Sequence, residues 1–181
     1  AAFPVNTDTV LHNKKTRSNS SNDMLDDVLF SFNDAANEKN YYMAALYPSL
    51  WARSGVPCVY SNDPAIDRMR GAVLPFDEGS CIDAEEILFS DKSFNGQLKE
   101  IAVSARTEGL KTETDTAGRL HRPYLKRSVI SKEHYEYLQN TLSLYAGGVI
   151  PSLNEPVAIK GNVKNGYGLL AVFPVTTDTL R

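Results

Sequence analysis

The sequence predicts an α+β fold: two related helix–turn–β-hairpin units, an internal duplication, joined by a helical segment around a compact antiparallel sheet or barrel-like core. Three observations carry this reading. Residues 3–10 read FPVNTDTV and residues 173–180 read FPVTTDTL, identical at six of eight positions. YMAALYPSL ends at Leu50, and YAGGVIPSL ends at Leu153. A Ser-initiated segment precedes each of these corners, from Ser21 and from Ser131, and a β-type stretch closing on Ala-Val-x-Pro follows each. Landmarks repeated in one order are the mark of a duplicated unit.

The elements then follow along the chain. Residues 1–20 form a polar N-terminal arm rich in Ser, Asn and Thr. Residues 21–80 are the first unit. Leu25, Val28, Leu29, Phe32 and Ala36 recur at helical spacing, which predicts one apolar stripe. Ser21 or Asn22 is placed to cap it, and Asp23, Asp26 and Asp27 suit the positive end of a helix dipole. Pro48 stops that helix. A hairpin is expected next, from Val56 to Tyr60 and back from Ala72 to Phe76.

Residues 81–130 bridge the units. Asp83 and Glu86 have capping-box spacing, and Phe94, Leu98, Ile101, Ala102 and Ala105 form a second helical stripe opened by Ser93. Residues 107–130, broken by Gly109, Gly118 and Pro123, read as a basic connector. Residues 131–181 are the second unit. Ser131 caps a helix with the stripe Tyr135, Leu138, Leu142 and Tyr145, and Gly147-Gly148 ends it. Val157–Lys160 and Tyr167–Val175 then pair across Asn165-Gly166. Pro75 and Pro174 cannot donate to a ladder and mark strand edges or ends. The whole is one compact domain.

Composition narrows the function classes. The chain has 181 residues, a net charge of -3 and a pI near 5.6, which argues against nucleic acid as a partner. No apolar run is long enough for a membrane-spanning helix. A start at Ala1-Ala2-Phe3 fits removal of a targeting segment on an organelle or secretory route, and equally fits a start further upstream. Cys58 and Cys81 are either buried thiols or one disulfide. Asn19-Ser20-Ser21 has the glycosylation-acceptor pattern, which has meaning only in a secreted chain.

No linear catalytic signature is present. Gly166-Tyr167-Gly168-Leu169-Leu170-Ala171 fits the dinucleotide fingerprint but opens an expected strand rather than a helix, so it is set aside. His12, His121 and His134 lack a partner at metal-ligand spacing. No catalytic, cofactor or metal residue is assigned. Residues 77–91 are acidic without Lys or Arg, and residues 119–132 are basic without a carboxylate. Such segments can set register between subunits or remain solvated faces.

The function expected is therefore non-enzymatic self-assembly into a layer, shell, filament or linker. The partner is a second copy or another protein of an assembly. The candidate contact residues are Phe3, Pro4 and Val5 in the arm, Phe173, Pro174 and Val175 in its C-terminal echo, the aromatics Tyr47 and Trp51, and Arg122 and Arg127. The alternatives are an extracytoplasmic ligand-binding or sensor domain with an aromatic pocket, and an enzyme whose site is assembled from separated residues.

Overall fold

The computed structural model describes residues 10–18, 24–47, 49, 58–61, 63–67, 82–83, 87–146, 161–164 and 168–180. Twelve strands and one helix are seen there: β1 (Val10–Ser18), β2 (Met24–Asn33), β3 (Tyr41–Tyr47), β4 (Cys58–Tyr60), β5 (Ile66–Asp67), β6 (Ile82–Asp83), β7 (Ile87–Ser90), β8 (Leu98–Arg106), β9 (Glu113–Thr114), β10 (Leu120–His121), β11 (Tyr124–Ile130), α1 (Lys132–Ala146) and β12 (Val175–Thr179). They form two five-stranded antiparallel sheets, ordered β1-β2-β8-β4-β6 and β12-β11-β3-β7-β5, and a small β9–β10 hairpin.

This architecture corrects the expected one. The paired helix–turn–hairpin units do not form. The segment read as the first helix is β2, lying between β1 and β8. The segment from 82 to 106, read as a bridging helix, holds β6, β7, a short 3₁₀ turn at Asp91–Ser93 and β8. The supposed connector contains β11, an interior strand flanked by β3 and β12. Of the expected helices, the one from Ser131 is the only one seen among the described residues. The returning hairpin arm at Ala72–Phe76 and the strand at Val157–Lys160 lie outside the described residues.

The reason is a second period hidden under the first. In β2, Val28, Phe30 and Phe32 are buried on alternate positions, the spacing of a sheet face. A helical stripe through Leu25, Val28, Leu29 and Phe32 left Phe30 on the polar side. In β8 the same holds for Ile101, Val103 and Ala105, all buried, while Leu98 is 67% exposed. Aromatic and β-branched content favours the strand.

Inward faces of both sheets close over one core. Val28, Phe30, Phe32, Ile101, Val103 and Ala105 from the first sheet pack with Tyr42, Ala44, Leu46, Ile87, Phe89 and Leu125 from the second. Phe89 sits centrally, with its ring centroid 5.2 Å from Tyr42 in a stacked pair and 5.7 Å from Phe32 in a tilted one. The result is an antiparallel β-sandwich. A second apolar cluster of Tyr41, Leu88, Ile130 and Tyr135 lies on the opposite face of the second sheet, under α1.

The β9–β10 turn is built on one carboxylate. Asp115 accepts from the backbone N–H groups of Arg119 at 2.8 Å and Ala117 at 2.9 Å, and pairs with Arg119 Nε and His121 Nε2. Gly118, at φ +77°, takes the left-handed position of the turn. The Arg119 backbone N–H first, and His121 next, hold the Asp115 carboxyl at about 2, below its ordinary 3.8. A depressed folded-state value stabilises above the ordinary value and is lost as pH falls from 3.8 through 2. Asp115→Asn is expected to flatten that part of the acid limb in urea-unfolding profiles and leave the limb above pH 5 in place.

Candidate interaction site

The site begins with the way α1 is held. Ser131 Oγ accepts from the His134 backbone N–H at 3.2 Å, the capping bond its sequence position implies. One turn in, Tyr135 is buried against the sheet. Its ring lies 4.7 Å from that of Tyr41, and its hydroxyl donates to Asp67 of β5. Burial first, then the hydrogen bond and charge of Asp67, push the Tyr135 phenol above its usual range. Met43, Leu138 and Phe173 flank this contact.

The chain then returns beside the helix. The Asn162 side chain reads the Leu170 backbone in both directions. Its Nδ2 donates to Leu170 O at 2.7 Å, and its Oδ1 accepts from Leu170 N at 2.7 Å. This imitates a ladder rung and props residues 168–174 alongside α1. Phe173 turns onto the His134 ring, centroids 5.0 Å apart. A groove of about 780 Å³ remains between the helix and this run, lined in part by Glu133, Glu136, Tyr137, Asn140 and Val172. His134 Nδ1 is buried there with no hydrogen-bond partner in the structure, and burial lowers the imidazole's pKa from 6.5. Lys132 Nζ pairs with Glu136 at 3.3 Å.

Past Pro174 the run becomes β12, the end strand of its sheet. It pairs with β11 from Tyr124↔Thr179 to Ser128↔Val175. Arg127 Nη2 and Nε meet Asp178 Oδ2 at 2.7 and 3.1 Å, and the Leu180 N–H donates to Pro123 O at 2.9 Å. The opposite edge of β12 has no partner strand among the described residues. Leu170 is 77% exposed, Val172 97% and Val175 51%. An apolar segment presented this way beside an open edge is unusual for a monomer.

Several expected contact residues meet here and others do not. Phe173 lines the groove, Pro174 immediately precedes β12, Val175 is its first residue and Arg127 anchors it. Tyr47 lies elsewhere on the same sheet, stacked on Tyr124 at 5.1 Å with Lys126 Nζ 4.7 Å above its ring. Arg122 is exposed just before β11. Phe3, Pro4, Val5 and Trp51 lie outside the described residues, as do Cys81 and the Cys58 side chain. Tyr42 belongs to the core. Sequence reading missed the helix wall of the groove and the Asn162–Leu170 rung; an isolated Asn eight residues before an apolar run gives only a faint signal. Among the described residues, no group of three or more His, Cys, Asp or Glu converges on a metal-sized site. No described helix is long and apolar enough to cross a membrane.

The profile described as Domain of unknown function (DUF4249) matches residues 2–179, nearly the whole chain. The chain belongs to the DUF4249 family. No curated protein and no solved structure matches it. The DUF4249 sandwich therefore has to be read through its own surfaces, and the β12 edge with its apolar approach is the most conspicuous of these.

Proposed function

We propose that this DUF4249 chain is a non-enzymatic assembly module, a β-sandwich that joins copies of itself by strand addition at the β12 edge. The observation that carries the reading is the edge of β12 that has no partner strand among the described residues, with Val175 exposed in it and Leu170 and Val172 exposed just upstream. Backbone groups on such an edge supply affinity without a deep pocket, and alternate side chains supply selectivity.

The test is mass against concentration by light scattering. The parent chain is expected to grow in mass with concentration. Val172→Lys combined with Val175→Lys should hold it monomeric with an unchanged far-ultraviolet spectrum, because both side chains are exposed and lysine blunts an edge. A parent chain that stays monomeric to several hundred micromolar would sink the reading. A second reading, a small-ligand site in the α1 groove, is favoured by the buried, unpartnered Nδ1 of His134. It expects a ligand to raise Tm at unchanged mass.

A further inference from the structure

Strand addition needs a donor edge as well as a receiving one. Among the described residues the sheets end in four strands, β1 and β6 on one, β12 and β5 on the other. β5 and β6 have two residues each, while β1 has nine and β12 five. Two pairings of useful length that include β12 remain: β12 with β12, or β12 with β1.

Charge separates them. β1 reads VLHNKKTRS, with Lys14, Lys15 and Arg17 and no carboxylate. β12 carries Asp178, paired with Arg127, and the α1 wall of the adjoining groove carries Glu133 and also Glu136, which meets Lys132 at its rim. Two β1 edges would set cation against cation, and two β12 edges offer each other no opposite charge, since Asp178 is already held by Arg127. Like charges across a new ladder are unfavourable, and unlike charges fix the partner.

The ladder of β1 also sets a direction. Val10–Asn13 pair regularly with β2, and the register then slips between Asn13 and Arg17, so Lys14, Lys15 and Thr16 stand opposite Asp26 alone. The regular stretch of four residues nearly matches the five of β12. If β1 runs antiparallel to β12, the residues after Asn13 fall at the Pro174 end, where Glu133 and Glu136 stand beside the approach.

Resting on the strand-addition reading above, we propose that β12 of one copy receives β1 of the next, antiparallel, in a head-to-tail contact steered by Lys14 and Lys15 toward Glu133 and Glu136. Because the two surfaces differ, the contact is heterologous and builds a ring or an open filament rather than a closed twofold dimer.

Charge reversal in the full chain tests this by light scattering. Lys14→Glu with Lys15→Glu, and separately Glu133→Lys with Glu136→Lys, should each weaken association about ten-fold or more. An equimolar mixture of the two variants should regain it, since every contact in an alternating array then joins opposite charges. Association of the parent chain should also weaken between about 0.05 and 0.5 M salt, which guards against a variant that fails to fold. If Val172→Lys with Val175→Lys abolishes association while both charge reversals and salt leave it unchanged, the donor strand is not β1, although strand addition stands. Mass that stops at a salt-insensitive dimer points to β12 with β12 and overturns the head-to-tail contact. A parent chain that never associates overturns both proposals.

Discussion

Replacing Asp34 with alanine is expected to lower the unfolding free energy by about 3–5 kcal/mol, because it removes three hydrogen bonds to one buried carboxylate at once. Asp34 follows β2 and is 8% exposed. Its carboxylate accepts from the Tyr42 hydroxyl, from Asn40 Nδ2 at 3.2 Å and from the Gly96 backbone N–H at 2.7 Å. Across the same end of the sandwich, Asp91 Oδ2 accepts from Asn40 N at 2.6 Å and Asn95 Nδ2 at 3.2 Å. Two carboxylates thus lace the β2–β3 loop to the β7–β8 loop. Gly96, at φ +72°, is required there, because an added Cβ would lie 2.9 Å from Ala36 Cβ.

The same cluster sets a pH dependence of opposite sign to that of Asp115. Burial first, and to a smaller extent the Asp34 charge, raise the Asp91 carboxyl above 3.8, although the Asn40 N–H pulls the other way. A carboxyl raised on folding opposes stability at neutral pH, and that penalty is relieved as pH falls toward the raised value. Asp34→Asn should cost less than alanine, about 1–2 kcal/mol, since one oxygen still accepts. It should also bring Asp91 back toward its ordinary range, visible in the carboxyl titration. Urea midpoints of the two variants check the first claim. A loss under about 1 kcal/mol for Asp34→Ala would mean the two loops are held by something else.

The helix at Ser131 was legible because every signal for it is local: a cap, a stripe at three- and four-residue spacing, and a partner face that one turn of Tyr135 and Leu138 can fill. The strands were not. Leu25, Val28, Leu29 and Phe32 satisfy the helical period, and Val28, Phe30 and Phe32 satisfy the sheet period equally well. What decides is the partner, Phe30 opposite Ile101 and Val28 opposite Val103, and no local window contains it. β11 was obscured by its cations: Lys126 lies over Tyr47, and Arg127 is tied to Asp178, so neither marks a solvated connector. The repeated strings around Phe-Pro-Val do not mark two like units, and residues 3–9 of the first lie outside the described residues. Val10, the last residue of the first string, opens β1, and residues 175–179 of the second are β12. Both strands end a sheet among the described residues. The groove was invisible for the same reason as the strands, since Glu133 and Val172 become neighbours only after α1 is docked.

Tyr135→Ala is expected to undo that docking, at a cost of about 3–5 kcal/mol, the range for deleting a buried aromatic ring. The ring packs with Tyr41, Leu88 and Ile130. Tyr135→Phe separates packing from the hydrogen bond. It keeps the ring and removes the donor to Asp67, for an expected loss of about 1–2 kcal/mol at neutral pH. Because the phenol's folded-state value lies above its ordinary 10, the stability it adds is present below pH 10 and declines as pH rises beyond it. The gap between the parent chain and Tyr135→Phe should therefore narrow above pH 10, and unfolding profiles at pH 8 and 11 check that. The pair of variants also bears on assembly. Tyr135→Phe leaves both the helix wall and β12 in place, so concentration-dependent mass should survive it. Tyr135→Ala frees the wall that carries Glu133 and Glu136 while β12 stays paired to β11. Under the charge-steered contact, association should then weaken and lose much of its salt dependence. If only the backbone edge mattered, it would change little.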